Sequence, residues 1–241
     1  MRQEEKTTAI VTGSGRGIGK DTAVLLAKKG VNVVVCSRTE SEITSAVDEI
    51  GMHSSQAKIL GVKCDVSIPS QVNSLVKLSV DKFRNIDILV NNAGVAFNKR
   101  LVDTLDEEWD QTINTNLKGA FLFAKAVLPY MIKRKSGVII NVNSGAGKAG
   151  FSNLSSYCAS KFGLLGLAEC LALEVDAYNV RVMTIFLGQV STKMWLDFDY
   201  SYYEKNRRRM LNPHDAAGKI VEMIFDAKNY KNRDSVEMYN T

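Results

Sequence analysis

The stretch T-T-A-I-V-T-G-S-G-R-G-I-G, residues 7–19, decides how this chain folds. Residues 7–12 have the apolar, β-branched composition of a short buried strand. The glycine-rich run 13–19 follows at once. Residues 20–29 then carry Ala23, Leu26 and Ala27 at helical spacing and end at Gly30. Strand, glycine loop and helix in that order form the setting of a phosphate-binding turn. There Gly13 permits a tight turn, Gly17 lets backbone approach a pyrophosphate, and Gly19 lets the helix lie close to the strand. The spacing Gly-x-x-x-Gly-x-Gly carries one residue more than the usual dinucleotide fingerprint. The expected contacts in this loop are Gly13, Ser14, Arg16, Gly17, Ile18 and Gly19.

Working outward, residues 31–36 read as a second strand, with Ser37 and Arg38 just beyond it, about twenty residues past the glycines. An acid at that place holds a ribose 2′-hydroxyl, whereas arginine suits a 2′-phosphate. Arg38 and Arg16 together supply two guanidinium forks for a dianion, so the expected cofactor is NADP(H) rather than NAD(H). Further strands are expected at 59–65, 86–90, 137–143 and 180–187, and helices at 40–50, 70–83, about 106–134 and 156–176. Thr104-Leu-Asp-Glu107 has the form of a capping box opening the long helix. Regular strand–helix alternation predicts an α/β fold of three layers, a doubly wound parallel sheet with helices on both faces and ligands at the carboxyl ends of the strands. The candidate positions cluster at those ends: Asp65 and Val66, then Asn92, Ala93 and Gly94, then Ser144, then Val190 and Thr192. No boundary or repeat interrupts the chain, so one domain, 1–241, is expected.

Residues 141–161, N-V-N-S-G-A-G-K-A-G-F-S-N-L-S-S-Y-C-A-S-K, carry the chemistry. Tyr157 and Lys161 stand four apart and share a helix face, and Ser144 ends the preceding strand. A phenol, an ammonium and a hydroxyl converging on one point suit proton transfer to a carbonyl oxygen. A free phenol has a pKa near 10. A lysine charge about 4 Å away at an effective dielectric of about 20 is worth roughly 4 kcal/mol, about three pKa units, and is expected to bring Tyr157 toward neutrality.

The whole composition limits the alternatives. The chain has 241 residues, 45% hydrophobic and 24% charged, with a net charge of +5. A mild positive balance favours anionic ligands without implying nucleic acid. Cys36, Cys64, Cys158 and Cys170 form no C-x-x-C pair, so neither a metal site nor a disulfide framework is expected. The charged start M-R-Q-E-E-K gives no secretory signal, and no apolar run reaches membrane-spanning length; a cytoplasmic protein is expected.

These motifs together resemble the short-chain dehydrogenase/reductase family over about residues 7–228. They are T-G-S-G-R-G-I-G (12–19), Asp65-Val66, N-N-A-G (91–94), N-L-K-G (116–119), Ser144 and Y-C-A-S-K (157–161), in that family's order. The resemblance implies a Rossmann-fold oxidoreductase that reduces a ketone to a secondary alcohol. Tyr157 would be the general acid/base and Ser144 would orient the substrate oxygen. Lys161 would hold the nicotinamide ribose and lower the phenol's pKa, and Asn116 would anchor a proton-relaying water chain. Asp65 would meet the adenine, Asn92 a ribose region, and Thr192 the carboxamide and phosphates. It also implies a homodimer or homotetramer and a mobile substrate lid at about 191–212, here rich in Trp195, Phe198, Tyr200, Tyr202 and Tyr203.

Two features depart from the family pattern: Leu187 stands before Gly188 where a proline is usual, and no Gly-Gly follows the candidate last strand at 235–239. Many relatives act on 3-oxoacyl thioesters borne by acyl carrier protein. Lys133, Arg134 and Lys135 match one docking position of such relatives, while Tyr178 replaces a cation at the other. The second reading is a non-catalytic NADP(H)-sensing protein on the same fold, against which the intact Ser144, Tyr157 and Lys161 argue.

Overall fold

Among the described residues, seven parallel strands form one sheet in the order β3-β2-β1-β4-β5-β6-β7. The computed structural model describes residues 6–54 and 56–239, so the charged start at 1–5 lies outside the described residues. The strands are β1 (Thr8–Thr12), β2 (Asn32–Ser37), β3 (Ile59–Lys63), β4 (Ile88–Asn91), β5 (Gly137–Ser144), β6 (Val180–Leu187) and β7 (Ser235–Met238). The inner strands are apolar at consecutive positions because both faces are buried. Ala9, Val11, Val33, Val35, Ile88 and Val90 pack on one face with Ala23, Leu26 and Ala27 of α1 (Gly17–Lys28) and Ala216 and Ile220 of α9 (Pro213–Phe225). Ile10, Val34, Leu89 and Ile139 point the other way. There they meet Val72 and Leu75 of α3 (Pro69–Phe83), Phe123 and Val127 of α5 (Gly119–Arg134), and Ala168 and Leu171 of α6 (Ser155–Val175). The third layer is thereby closed. α2 (Glu40–His53) follows β2, and among the described residues no helix is long and apolar enough to cross a membrane.

Strand order reverses between β1 and β4, which opens a crevice at their carboxyl ends. Two elements differ from expectation there. The third strand stops at Lys63, so Asp65 and Val66 lie in the loop beyond it. The expected continuous helix 106–134 is three segments: α4 (Asp106–Ile113), a π-helical turn at Asn114–Lys118, and α5. The widened turn places Asn116 against Val95 and Ser160, and Gly119 against Val66, where a Cβ would come within 2.8 Å of Cγ2. Side-chain demands at one spot displace the regular ladder, as π-turns commonly reflect. The capping box is also shifted. Leu105 is the N-cap, its N–H donates to Glu108 Oε2 at 3.1 Å, and the Thr104 hydroxyl instead donates to the Arg100 carbonyl at 3.0 Å.

The carboxyl-terminal connection is built from side-chain bonds to backbone. Arg181 on β6 donates to the carbonyls of Met223 at 3.3 Å and Tyr230 at 3.0 Å, and Asn232 accepts from Val182 N–H at 3.0 Å. These ties return the chain to pair β7 beside β6, with Leu187 opposite Met238.

Candidate active site

A cleft of about 500 Å³ runs along the carboxyl ends of the strands. Its cofactor-sized half is walled by Gly13, Arg16, Gly17, Ile18, Ser37, Arg38, Asp65, Val66, Asn92, Ala93 and Gly94; Val190 and Thr192 also line the cleft. Gly13 and Gly17 adopt φ of +63° and +56°, conformations open to glycine at little cost. A Cβ on Gly13 would come within 2.9 Å of the Ala93 Cα, so the turn and the 92–94 loop touch backbone to backbone. The amino end of α1 faces this cradle with no acid in its first turn. A glycine turn, a helix amino end and two arginines on one wall fit a nicotinamide dinucleotide.

Two residues of the expected loop set serve the frame rather than the cleft wall. Ser14 is buried, its hydroxyl donating to Val11 O at 2.6 Å and accepting from Cys36 N–H at 3.0 Å, which stitches β1 to β2. Gly19 packs so tightly that a Cβ would meet Gly13 O and Asn92 Nδ2 at 2.5 Å. Asn92 itself donates from Nδ2 to the carbonyls of Thr12 at 2.9 Å and Gly13 at 3.2 Å, holding the glycine turn. Asp65 Oδ1 accepts from the Ser67 N–H at 2.9 Å and hydroxyl at 2.6 Å while its residue lines the cleft.

At the other end, β5 delivers Ser144 and α6 delivers Tyr157 and Lys161, all on the cleft wall. The Ser144 hydroxyl stands beside Tyr157, close enough to hold the phenol's pKa down against desolvation. Asn143 fixes the pair of elements: its Oδ1 accepts from Ser144 N–H at 2.8 Å and its Nδ2 donates to the Lys161 carbonyl at 3.1 Å. Lys161 is 5% exposed, and its ammonium donates to the Val142 carbonyl at 2.8 Å, 5.6 Å from the Tyr157 ring centre.

The expected acidification of the phenol is corrected by this geometry. Desolvation pushes Tyr157 up to about 12, the Ser144 hydroxyl opposing it, and desolvation brings Lys161 down to about 8. The ammonium lies against a main-chain carbonyl, and desolvation of the half-buried phenol and of the buried ammonium sets the direction of both shifts.

Asn116 is held at the junction of two elements. Its amide is fully engaged, Oδ1 accepting from Val95 N–H at 2.8 Å and Nδ2 donating to Val95 O at 2.9 Å and Ser160 Oγ at 3.0 Å. Its side chain therefore joins the loop after β4 to α6.

The sequence profile described as short chain dehydrogenase matches residues 7–200. The chain belongs to the short-chain dehydrogenase family. Like other short-chain dehydrogenases, it is an oxidoreductase acting on carbonyl or hydroxyl groups. Among its relatives, a 3-oxoacyl-[acyl-carrier-protein] reductase of Thermotoga maritima is 37% identical over 194 residues, 80% of this chain and 78% of that one. The (2S)-[(R)-hydroxy(phenyl)methyl]succinyl-CoA dehydrogenase subunit of Thauera aromatica is 34% identical over 218 residues, 90% of this chain and 85% of that one. A crystal structure of a variant actinorhodin polyketide ketoreductase with NADPH superposes at a TM-score of 0.90 with 28% identity, covering 100% of this chain and 98% of that one.

Four residues of this short-chain dehydrogenase site escaped sequence reasoning. The Thr12 hydroxyl accepts from the N–H groups of Asn92 at 2.9 Å and Ala93 at 3.0 Å and joins β1 to the loop after β4. Asn143 is the strut described above; its place one residue before Ser144 was the available signal. Glu42 lines the cleft beside the arginines, its Oε1 3.2 Å from Arg16 Nη1 and its Oε2 accepting from the Ser37 hydroxyl at 2.9 Å. Tyr239 reaches the cleft from the far end of the chain, with no local pattern to announce it.

Proposed function

We propose that this protein is an NADP(H)-dependent reductase that converts a ketone to a secondary alcohol, with Tyr157 as the general acid. The observation that carries the reading is the convergence of Ser144, Tyr157 and, one turn beyond, Lys161 on the wall of the cleft that the glycine turn opens. Gly13, Gly17 and Ile18 would hold the pyrophosphate, Arg16 and Arg38 the 2′-phosphate, Asp65 the adenine, and Lys161 and Thr192 the nicotinamide end. The bound cofactor supplies a hydride for the carbonyl carbon.

The chain's own work is orientation and proton delivery. The Ser144 hydroxyl donates to the substrate oxygen and fixes it beside the Tyr157 hydroxyl. Tyr157 gives up its proton as negative charge gathers on that oxygen, and a phenol that stays protonated up to about 12 is in its acid form throughout the neutral range. The Lys161 charge stabilises the phenolate left behind. Asn116 and Asn143 are positioning residues. Residues 191–212 form the substrate lid. It is tied to its base by the Trp195 indole donating to Val190 O at 3.0 Å, by Tyr202 with Gln189 at 2.9 Å and by Leu211 N–H to Gln189 O at 2.8 Å.

The relatives' names support this reading, one being a reductase of an oxoacyl group and one a dehydrogenase of a hydroxy compound. A 3-oxoacyl thioester is one candidate substrate class. The protein works as a homodimer or homotetramer through the outer faces of its long helices, where Phe121, Phe162 and Leu173 are exposed. The test is a screen of NADPH oxidation by absorbance over oxoacyl thioesters, quinones, sugars and alicyclic and aryl ketones. Turnover with at least one ketone is expected. NADPH binding without turnover on any carbonyl compound would favour a cofactor sensor.

A further inference from the structure

The last strand returns the end of the chain to the cleft. β7 pairs with β6, Gly188 N–H donates to Met238 O at 2.8 Å, and the Lys148 ammonium pairs with the Glu237 carboxylate. That same ammonium sits 4.3 Å from the centre of the Phe186 ring, so the turn after Ser144, β6 and β7 are held together by one lysine. The result is a fixed position for Tyr239. Its ring comes to 3.7 Å from where a Cβ would stand on Gly145, the residue next to Ser144, and it lines the same cleft as Ser144 and Tyr157.

Topology separates this end from the cofactor's adenosine end. Arg16, Arg38 and Glu42 belong to the β1–β2 side of the sheet, while Tyr239 follows β7 at the opposite edge. Phe151, Leu154, Met194, Trp195 and Phe198 line the same cleft, with Gln189 and Lys193 among its polar walls. Trp195 is braced by Phe198 edge-on at 5.2 Å and by Tyr202 stacked at 5.5 Å, so its ring is preorganised. Tyr239 is 42% exposed, a value suited to a residue with one face on the frame and one on the cleft. Aromatic walls reward a flat, rigid ring, whereas a flexible acyl chain loses rotamer freedom on entering.

We propose that Tyr239 is a substrate-facing specificity residue which, with Phe151 and Trp195, makes the cleft select ketones whose carbonyl is attached to or fused with an aromatic ring. The proposal rests on the reductase reading above and adds a substrate class to it. Its test compares wild type, Tyr239→Ala and Tyr239→Leu with NADPH on a fused aryl ketone, α-tetralone, and a small linear one, butanone. Both variants should lower the kcat/KM ratio of α-tetralone over butanone about tenfold, mostly by weakening apparent binding of the aryl ketone. Leucine keeps an apolar contact for β7, so a shared loss points to the missing ring and not to a loosened strand. An unchanged ratio, or a wild type that reduces other carbonyl compounds but not α-tetralone, would overturn the role of Tyr239 and leave the reductase reading intact. A wild type that reduces no carbonyl compound would overturn both.

Discussion

Lys161 shows at the scale of one residue how burial competes with charge. Its ammonium is 5% exposed and leans on one main-chain carbonyl, Val142, at 2.8 Å. The depressed value of about 8, against 10.5 for a free lysine, means that the unfolded chain binds more protons than the native one between those limits. Stability therefore rises with pH across that window, and the penalty is present in full below it. Lys161→Met should raise the melting temperature at pH 7 by roughly 4 °C, and its advantage over wild type should shrink between about pH 8 and 10.5. Thermal melts across that range check it; a constant or widening gap would contradict the buried-charge account. Glu42 poses the same competition at the adenosine end, where its carboxylate pairs with Arg16 at 3.2 Å in the place proposed for a 2′-phosphate. Arg38→Asp should reverse the preference for NADPH over NADH, and Glu42→Gln should strengthen it roughly threefold to fivefold. Ratios of kcat/KM for the two cofactors decide, and unchanged ratios would refute the phosphate clamp.

Among the elements, the π-turn at Asn114–Lys118 does the most to assemble the site. Periodicity alone predicts one helix over 106–134, because apolar spacing continues through the turn and nothing in a linear pattern marks a widened ladder. The asparagine at 116 was visible as unusual inside a helix, but its partners, Val95 and Ser160, lie 21 and 44 residues away. Propensity reports only local preferences, and tertiary bonds overrode them here. Asn116→Ala removes the partner of Val95 N–H and O and of Ser160 Oγ. Unpaired buried polar groups cost about 1–3 kcal/mol each when no water reaches them, so a net loss of roughly 2–4 kcal/mol is expected in urea unfolding. A loss below about 1 kcal/mol would show that the loop after β4 holds its place without the amide.

Across the whole molecule, the parallel sheet and its layers could be read from the strand–helix alternation, because doubly buried strands write themselves as apolar runs such as residues 31–36. The cleft's position followed from the reversal of strand order, and Ser144, Tyr157, Lys161, Gly13 and Gly17 all stand on its wall. What could not be read came from distance along the chain: Tyr239 meets Gly145 only after β7 has closed the sheet, and Thr12 bonds to Asn92 across 80 residues. The balance between desolvation and attraction at Tyr157 was likewise hidden, since spacing gives neighbours but not burial. Ketone turnover depends on the Tyr157 proton. Tyr157→Phe, measured for ketone turnover and NADPH affinity in the same preparation, should lower kcat at least about a hundredfold while leaving the cofactor's Kd within about twofold; turnover within about tenfold of wild type would contradict it.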